Sequence, residues 1–255
     1  MYNLGIVIPT YNEKDNIINL LSLVVDNLEQ KDMKTFVLIM DDNSPDGTKD
    51  LVANFIENNT FKNIKFELKV REGKQGLATA YTQGFEYLIN NQKADVVMSL
   101  DADLSHNPKY IYPMYELLIK TNKDLIVGSR YIEGGGIENW GPQRKFISKA
   151  GSLYAKTILG SPINDLTGGF NLYRSRVFDI VKLESINARG YLFQIEMKHR
   201  MVAAGFKELE YPIIFSDRVN GQSKMTKSII FEALTGVWKL KFDTVKKNKI
   251  DKSKK

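Results

Sequence analysis

Cysteine is absent from this 255-residue chain, and histidine occurs only twice, as His106 and His199. A chain without cysteine can form neither disulfides nor thiolate metal sites, and two histidines are too few for a histidine-rich metal cluster. No uninterrupted apolar stretch approaches the ~20 residues that a membrane-spanning helix requires. The sequence has no Walker A segment, and no G-x-G-x-x-G follows the first apolar run, so a nucleotide would have to be bound without either glycine-rich fingerprint.

Positive charge is in excess only at the end of the sequence. The formal net charge is +6, and the segment from Lys239 to Lys255 contains eight lysines and two aspartates, so the chain before Lys239 is formally neutral. This distribution differs from that of a nucleic-acid-binding surface, and we expect no nucleic-acid partner. The tail is either a disordered solubilising segment or a segment attracted to anionic lipid, at about 1 kcal/mol per lysine near the surface.

Short apolar runs alternate with amphipathic segments over the first 130 residues. The first amphipathic segment ends near Leu28 and repeats apolar residues at helical spacing. Strand and helix patterns alternating at this spacing predict an α/β fold, with a mostly parallel sheet flanked by helices. The predicted strands are Leu4–Ile8, Phe36–Met40, Ile64–Val70, the run that ends before Asp101, and Leu125–Val127.

Two carboxylates two residues apart, Asp101 and Asp103, follow the apolar run Val96–Leu100. Ligands of open α/β sheets bind beyond the carboxyl ends of the strands. Hard oxygen ligands together with a diphosphate are the usual way in which Mg²⁺ or Mn²⁺ is held. An isolated Asp-x-Asp is as often a solvated turn, so the interpretation depends on the other strands.

Two more strands end in polar clusters, at Pro9–Glu13 and at Asp41–Asn43. If these strands are parallel and adjacent to the strand before Asp101, the three clusters meet at one edge of the sheet. The sequence therefore predicts one site built from three separated segments.

Seven ordered segments of the sequence resemble the polyprenyl-phosphate mannose synthases of the inverting glycosyltransferase family 2. The resemblance extends from about Ile6 to Lys239. The segments are Ile8-Pro9-Thr10-Tyr11-Asn12-Glu13, Asp41-Asp42-Asn43-Ser44-Pro45-Asp46-Gly47-Thr48, Asp101-Ala102-Asp103-Leu104-Ser105-His106, Gly128-Ser129-Arg130-Tyr131, Asp165-Leu166-Thr167-Gly168-Gly169-Phe170, Gly190-Tyr191-Leu192-Phe193-Gln194-Ile195-Glu196-Met197 and Arg218-Val219-Asn220-Gly221-Gln222-Ser223-Lys224-Met225.

The resemblance implies a GT-A (Rossmann-like) fold and an inverting transfer of mannose from GDP-mannose to a membrane polyprenyl (dolichyl) phosphate. It assigns Mg²⁺ or Mn²⁺ and the diphosphate to Asp101 and Asp103. Ser105 stands where some relatives have a glutamine metal ligand, so we include Ser105 as a metal-site residue that water could replace. The predicted donor nucleotide-binding residues are Pro9, Tyr11, Glu13, Asp42, Asp46, Lys74, Gly76 and Ala102. Asp46, between Pro45 and Gly47, is equally well explained as a turn residue that does not contact the donor.

A phosphate acceptor needs cations rather than a general base, because the second pKa of a phosphate monoester is about 6. Arginine is suited to phosphate oxygens, although a surface ion pair is the alternative for each basic residue. The predicted acceptor phosphate-binding residues are Arg130, Arg144, Arg218, Ser223 and Lys224, and the catalytic residues are Asp101, Asp103, Arg130 and Arg218. Glu196 either lies near the sugar or acceptor, as the resemblance implies, or pairs with a cation such as Lys198 or Arg200.

We divide the chain into a GT-A domain over residues 1–225, an amphipathic C-terminal helix over 226–245 and a basic, disordered tail over 246–255. In the helix, Ile230, Leu234, Val237 and Trp238 are predicted to share one face, which packs either on the core or at the water–lipid boundary. We expect a cytoplasmic protein that is peripheral on the cytosolic face of a membrane, with or without a separate membrane-anchoring subunit.

Other functions also fit the sequence. A polyprenyl-phosphate glucosyltransferase that uses UDP-glucose would carry out the same chemistry with another donor. A non-catalytic nucleotide-sugar-binding subunit would need neither Asp101 nor Asp103, whereas this sequence has both. A processive polysaccharide synthase is disfavoured because the Gln-x-x-Arg-Trp signature is missing.

Overall fold

A seven-stranded sheet forms the centre of the protein in the computed structural model, which describes residues 2–186, 188, 190–217 and 234–243. The strand order is β3-β2-β1-β4-β7-β5-β8. The strands are β1 (Leu4–Thr10), β2 (Thr35–Asp41), β3 (Ile64–Val70), β4 (Val96–Ser99), β5 (Leu125–Ser129), β6 (Gly136–Ile137), β7 (Asn171–Arg174), β8 (Glu208–Pro212) and β9 (Ile214–Phe215). The helices are α1 (Ile17–Leu28), α2 (Thr48–Asn58), α3 (Leu77–Asn91), α4 (Ile111–Thr121), α5 (Pro142–Leu159) and α6 (Gly190–Ala203).

The prediction of a mostly parallel sheet is confirmed. Strands β1 to β4 pair in parallel, as do β5 and β8, while β7 lies antiparallel between β4 and β5. Strands β6 and β9 form a separate two-stranded parallel sheet. A single antiparallel strand inside a parallel sheet reverses the direction of the chain, so β7 begins, rather than ends, at the edge where β4 ends.

Helices cover both faces of the sheet, and alternate residues of the strands point to opposite faces. In β1, Ile6 and Ile8 belong to one buried apolar cluster, whereas Val7 belongs to a second one. Such strands, buried on both sides, appear in sequence as continuous apolar runs. Helix α1 packs on the first cluster, and its buried residues recur at helical spacing, as the amphipathic pattern predicts: Ile17, Leu20, Leu21, Val24 and Leu28.

Strand β1 extends past the predicted end and includes Pro9. The carbonyl of Val7 accepts from the Leu100 amide on the side of β4, and Pro9, two residues on, faces that same side. Pairing between β1 and β4 ends at Val7 and Ser99. Proline therefore costs no ladder hydrogen bond at this position, as is usual for proline in strands.

The C-terminal helical segment, residues 234–243, packs against α5. The Tyr154 hydroxyl donates to the Leu234 carbonyl at 3.1 Å, and Val237 is buried with the second apolar cluster. Leu234 and Trp238 are exposed whereas Val237 is buried, so only part of the predicted apolar face packs on the core. Ile230 and the basic tail lie outside the described residues, and across the residues that are described no helix has the length and apolarity to cross a bilayer.

Gly84 of α3 allows this helix to approach β1 closely. A methyl group on Gly84 would lie 2.6 Å from Cγ1 of Val7, whereas Gly151 of α5 has open space around it. We expect Gly84→Ala to destabilise the protein by about 1–3 kcal/mol through overpacking, less up to about 1 kcal/mol gained in helix propensity. Gly151→Ala, the control, should be neutral or stabilising. Urea denaturation measures both, and equal effects would contradict the close packing of α3 on β1.

Candidate active site

The carboxyl ends of β1, β2 and β4 lie side by side, as the three polar clusters predict. Asp41 connects the first two strands: its buried carboxylate accepts from the Thr10 hydroxyl at 2.7 Å and from the Ser44 amide and hydroxyl at 2.8 and 2.7 Å. The amide of Asn12 in turn donates to the Ser44 hydroxyl at 3.1 Å. The two polar loops are thus joined by buried hydrogen bonds.

Asp42 connects the second cluster to the loop before α3. Its carboxylate forms a buried ion pair with Arg71 and accepts from the Gly76 amide at 3.1 Å. The ammonium of Lys74, in the same loop, lies 4.4 Å from the ring centre of Tyr11. Four of the predicted donor-binding residues, Tyr11, Asp42, Lys74 and Gly76, are therefore brought together by the fold.

Asp46 and Glu13 are held by local hydrogen bonds. The Asp46 carboxylate accepts from the Thr48 amide and hydroxyl at 3.0 and 2.6 Å and from the Lys14 amide at 3.2 Å. Burial alone would raise the pKa of Asp46, but these hydrogen bonds bring that pKa below its usual value. Glu13 receives the Asn16 side-chain amide at 2.9 Å. In this structure Asp46 fastens the start of α2 to the loop after β1.

Asp101, directly after β4, is oriented by two groups. The Tyr81 hydroxyl donates to its Oδ1 at 2.7 Å, and the Asp101 amide donates to Nδ1 of His106 at 3.3 Å. Burial, and then the neighbouring Asp101 carboxylate, raises the pKa of Tyr81 well above its usual range, so the phenol stays protonated. The Asp101 side chain is still 29% exposed and open to a ligand.

Asp103 is largely buried, and its Oδ1 accepts the Ser105 amide at 3.1 Å and the Ser105 hydroxyl at 2.5 Å. The Ser105 hydroxyl is therefore a hydrogen-bond donor to Asp103. In the part of the chain that the structure describes, no group of three or more Asp, Glu, His or Cys side chains could hold a metal ion. A site with only the two carboxylates Asp101 and Asp103 fits Mg²⁺, which commonly binds one or two carboxylates and completes its coordination shell with water and substrate phosphates.

Arg130, at the end of β5, forms a buried bidentate pair with Asp165. Its Nε and Nη2 donate to the two Asp165 oxygens at 2.7 Å each, and Nη2 also donates to the Thr167 hydroxyl at 3.0 Å. Burial alone would raise the pKa of Asp165, but Arg130 brings that pKa below its usual value. The structure thus places Arg130 in contact with the Asp165–Gly169 turn.

Lys198 of α6 binds the same turn through its backbone carbonyls. Its side chain is fully buried, and its ammonium donates to the carbonyls of Asp165, Leu166 and Gly168 at 3.1, 3.1 and 2.6 Å. Burial lowers the pKa of Lys198 to about 7, although the Asp165 carboxylate opposes this shift. The turn before β7 is therefore held by the side chains of Arg130, Lys198 and Asp165, all of them buried.

Arg144, in the first turn of α5, contacts residues that follow the two strands of the small sheet, β6 and β9. Its guanidinium pairs with Asp217 at 2.8 Å and stacks 3.8 Å from the ring centre of Trp140. Trp140 packs edge-on against Phe215, which also contacts His106. The other predicted acceptor residues, Arg218, Ser223 and Lys224, lie outside the described residues.

Glu196 pairs with Arg200, one of its two suggested cations, and accepts the Ala188 amide at 2.9 Å, whereas Lys198 binds the turn.

Several other residues of the site were not predicted from the sequence. Arg71 lies in the loop after β3, and Tyr81 lies on the apolar face of α3. Neither segment has a sequence pattern that indicates catalysis. The only sequence signal for Lys198 is a lysine among the apolar residues of α6.

A cavity on another part of the surface has no connection with these residues. It lies at the opposite edge of the sheet, where β2 and β3 begin, and is lined by residues such as Thr35 and Ile64.

Comparison with known proteins identifies the family. The profile of glycosyl transferase family 2 matches residues 5–181, and the chain belongs to this family. It is 34% identical over 229 residues to a polyprenol monophosphomannose synthase of Mycolicibacterium smegmatis, covering 90% of this chain and 83% of that protein. It is 36% identical over 231 residues to an undecaprenyl-phosphate mannosyltransferase of Micrococcus luteus, covering 91% and 90%. The resemblance based on seven sequence segments is confirmed.

Solved structures confirm the GT-A fold. Mannosyl-3-phosphoglycerate synthase from Rubrobacter xylanophilus superposes with a TM-score of 0.64 at 16% identity, over 100% of this chain and 76% of that one. Glucosyl-3-phosphoglycerate synthase from Mycobacterium tuberculosis, in complex with Mg²⁺ and UDP, superposes with a TM-score of 0.65 at 13% identity, over 94% and 79%. The protein is thus a glycosyltransferase with a GT-A fold.

The Arg130–Asp165 pair makes a prediction for stability. We expect Arg130→Met to cost roughly 3–5 kcal/mol at pH 7, because a buried carboxylate loses its partner. In the wild type, Asp165 stabilises the fold above its unfolded pKa of about 3.9, and this contribution is lost as the pH falls through the lower folded pKa. In the variant, burial favours the protonated carboxyl, so the difference between the two proteins should shrink as the pH falls from 7 to 4.5.

Urea denaturation at both pH values measures this difference. Lys120→Met is the control, because Lys120 pairs with Glu116 on the surface, and such pairs contribute less than about 1 kcal/mol. A loss for Arg130→Met that matches the control, or that is independent of pH, would contradict the assigned role of the pair.

Proposed function

We propose that this glycosyltransferase moves mannose from GDP-mannose to a polyprenyl (dolichyl) phosphate, giving polyprenyl-phosphate β-mannose and GDP. The relatives named for mannosyl transfer to polyprenyl lipids, aligned over nine-tenths of the chain, support the substrate class. The observation that carries the proposal is the pair Asp101 and Asp103, which lies beyond β4 at the edge where β1 and β2 also end. A diphosphate held there would have its nucleoside toward the first two strands.

The donor site is proposed to consist of the joined loops after β1 and β2. Tyr11 and Lys74 offer a ring face and a cation in contact with each other, while Pro9, Glu13, Asp42, Asp46 and Gly76 shape the surrounding loops. Asp42 is paired with Arg71, so it acts here by orienting the loop around Gly76. Ala102, which stands between the two carboxylates in the sequence, is buried, so it would contribute to the donor site only through the position of the segment that carries Asp101 and Asp103.

Asp101, Asp103 and, through its hydroxyl, Ser105 are the residues that would hold Mg²⁺ or Mn²⁺. When bound, such an ion neutralises the charge that develops on the departing diphosphate. Tyr81 fixes the rotation of the Asp101 carboxylate, and Ser105 fixes that of Asp103. The protein thereby presents two ligands whose positions are set before the donor arrives, which is what efficient electrostatic stabilisation requires.

The acceptor reaction needs one displacement and no general base. An oxygen of the lipid phosphate forms a bond to the anomeric carbon as the bond from that carbon to the diphosphate breaks, so the configuration inverts. This phosphate is largely dianionic near pH 7. Arg144 and, by sequence, Arg218, Ser223 and Lys224 are the proposed phosphate ligands. Arg130 shapes the acceptor side through Asp165 and Thr167.

A membrane-facing surface is proposed on α5 and the C-terminal helical segment. Phe146, Leu153, Trp238 and Phe242 are exposed by 74, 60, 45 and 58%, and lysines flank them in both helices. Aromatic and aliphatic side chains bordered by lysines suit the interface of an anionic bilayer. The acceptor lipid would be held there, so we propose peripheral attachment to the cytosolic face of a membrane, alone or with a separate anchoring subunit.

A transfer assay tests the function. Purified protein, a short-chain polyprenyl phosphate, Mg²⁺ or Mn²⁺ and radiolabelled GDP-mannose should give a β-linked lipid product, and EDTA should stop its formation. Asp103→Asn should reduce turnover at least 100-fold, while the exposed Asp32→Asn serves as the control. Preference for UDP-glucose would favour the glucosyltransferase alternative, and donor binding without any transfer would favour the non-catalytic subunit.

Tyr81 makes a second prediction about the same site. Tyr81→Phe removes the donor to Asp101 and should lower activity by 10- to 100-fold, the usual effect of losing an outer-shell partner of a metal ligand. Tyr87→Phe is the matched control on α3, since Tyr87 donates to Glu67 at 2.6 Å instead. Initial rates with saturating and limiting Mn²⁺ compare the variants, and similar rates for both would argue against a role for Tyr81 in orienting Asp101.

The membrane surface is tested by vesicle flotation. Phe146→Ser combined with Trp238→Ser should reduce binding to vesicles with anionic lipid and reduce transfer to a long-chain acceptor in them, while transfer to a water-soluble short-chain acceptor persists. Ile180→Ser is the control: Ile180 is 63% exposed but follows β7, whose end lies at the opposite edge of the sheet. Undiminished binding by the double variant would place the membrane contact elsewhere.

A further inference from the structure

We propose that the side-chain amide of Gln194 binds a hydroxyl group of the transferred sugar, in a subsite next to Gly169. This inference rests on the proposed function and extends it to a residue that contacts the sugar itself. Gln194 lies on α6, its side chain is buried, and its Nε2 has no hydrogen-bond partner. A buried amide nitrogen without an acceptor is costly, and such atoms in folded proteins call for an explanation.

The orientation of the Gln194 amide follows from its neighbours. Nδ2 of Asn171 donates to the Gly168 carbonyl at 3.1 Å and to Oε1 of Gln194 at 3.1 Å. The Gly168 carbonyl can only accept, so Asn171 has to present its nitrogen on that side, and Gln194 has to present its oxygen to this nitrogen. The amino group of Gln194 is therefore directed away from Asn171, with two hydrogens to donate.

The unpartnered amino group lies beside Gly169, close to the proposed metal site. A methyl group on Gly169 would lie 3.5 Å from Nε2 of Gln194, 3.4 Å from Oδ2 of Asp101 and 3.4 Å from Cε1 of His106. Since Gly169 has no side chain, these three groups border the same small space. Gly169 and Asp101 are both partly exposed, so the space is open to a ligand.

Gly169 is held firmly at this position. The Ser99 hydroxyl donates to the Gly169 carbonyl at 2.5 Å, and Lys198 holds the carbonyl of Gly168 just before it. The next residue, Phe170, stacks on His106 with ring centres 4.9 Å apart. The subsite is therefore preorganised, which lowers the entropy cost of binding.

The chemistry of the subsite suits a sugar hydroxyl better than a phosphate. Gln194 is neutral and deeply buried, and the Asp101 carboxylate, which borders the same space, is an anion that would repel an unshielded phosphate. An amide donor next to a carboxylate acceptor matches a hydroxyl, which both donates and accepts. The sugar is also the part of the donor that follows the diphosphate, and the diphosphate is assigned to Asp101 and Asp103.

Binding measurements without acceptor test the inference. Calorimetric titration with GDP and with GDP-mannose, each with Mg²⁺, gives the ratio of the two dissociation constants, in which effects on the shared nucleotide cancel. Gln194→Met, which removes the donor but keeps the length, should weaken GDP-mannose binding about three- to tenfold and leave GDP binding within twofold. Gly169→Ala fills the space without a close contact and should give the same pattern.

Two further variants separate sugar binding from a structural role. Gln194→Glu keeps an oxygen for Asn171 but has no amide donor, so the ratio of the two dissociation constants should change by the same factor as in Gln194→Met. A role limited to holding Asn171 would leave this ratio at the wild-type value. Gln92→Met is the control, since that amide bonds Glu67 and Tyr87 at the far end of α3. Equal weakening of GDP and GDP-mannose, or no change in either, would overturn the inference.

The outcome is separable from that of the proposed function. If wild-type protein transfers mannose but the ratio is unchanged in Gln194→Met, the function stands and the subsite is wrong. If the transfer assay selects UDP-glucose, the same ratio is measured with UDP and UDP-glucose, and the same loss is expected. A wild type that binds neither sugar nucleotide more tightly than its nucleoside diphosphate would also overturn the subsite.

Discussion

The Asp165 carboxylate is the group on which the geometry of the site depends. It is fully buried and accepts two hydrogen bonds from the Arg130 guanidinium and one from the Gly168 amide, while Lys198 binds the carbonyls on the other side of the same turn. Buried charges contribute little to stability on balance, but removing one partner is expensive. The cluster thus specifies one conformation of the turn rather than simply stabilising the domain.

The position of this turn affects the carboxylates at the end of β4. It leads into β7, the antiparallel strand between β4 and β5, so Gly169 and Phe170 arrive at the edge where β4 ends. Phe170 stacks on His106, and His106 accepts the amide of Asp101. Arg130 and the carboxylates after β4 are therefore parts of one connected structure, although they are predicted to bind different substrates.

The arrangement fits an acceptor that arrives already ionised. Glu196, the carboxylate of α6 that the sequence resemblance associates with the sugar or acceptor, pairs with Arg200 and the Ala188 amide. A hydroxyl acceptor would need a base, whereas a phosphate needs only cations and an open approach. The exposed apolar residues of α5 lie on the same helix as Arg144, so the proposed phosphate ligand and the proposed membrane surface share one element.

The sequence by itself determined the alternation of strands and helices, the buried face of α1 and the convergence of three polar clusters, because these follow from residue periodicity and from the geometry of parallel strands. It also determined the family, through segments that keep their order. Only the tertiary structure decided that Arg130 binds Asp165, that Lys198 holds a turn 30 residues away, that Tyr81 orients Asp101 and that Gln194 has an unused donor. Such contacts join side chains from different elements. Which side chains meet depends on how the helices pack on the sheet, and the local sequence pattern does not encode this packing.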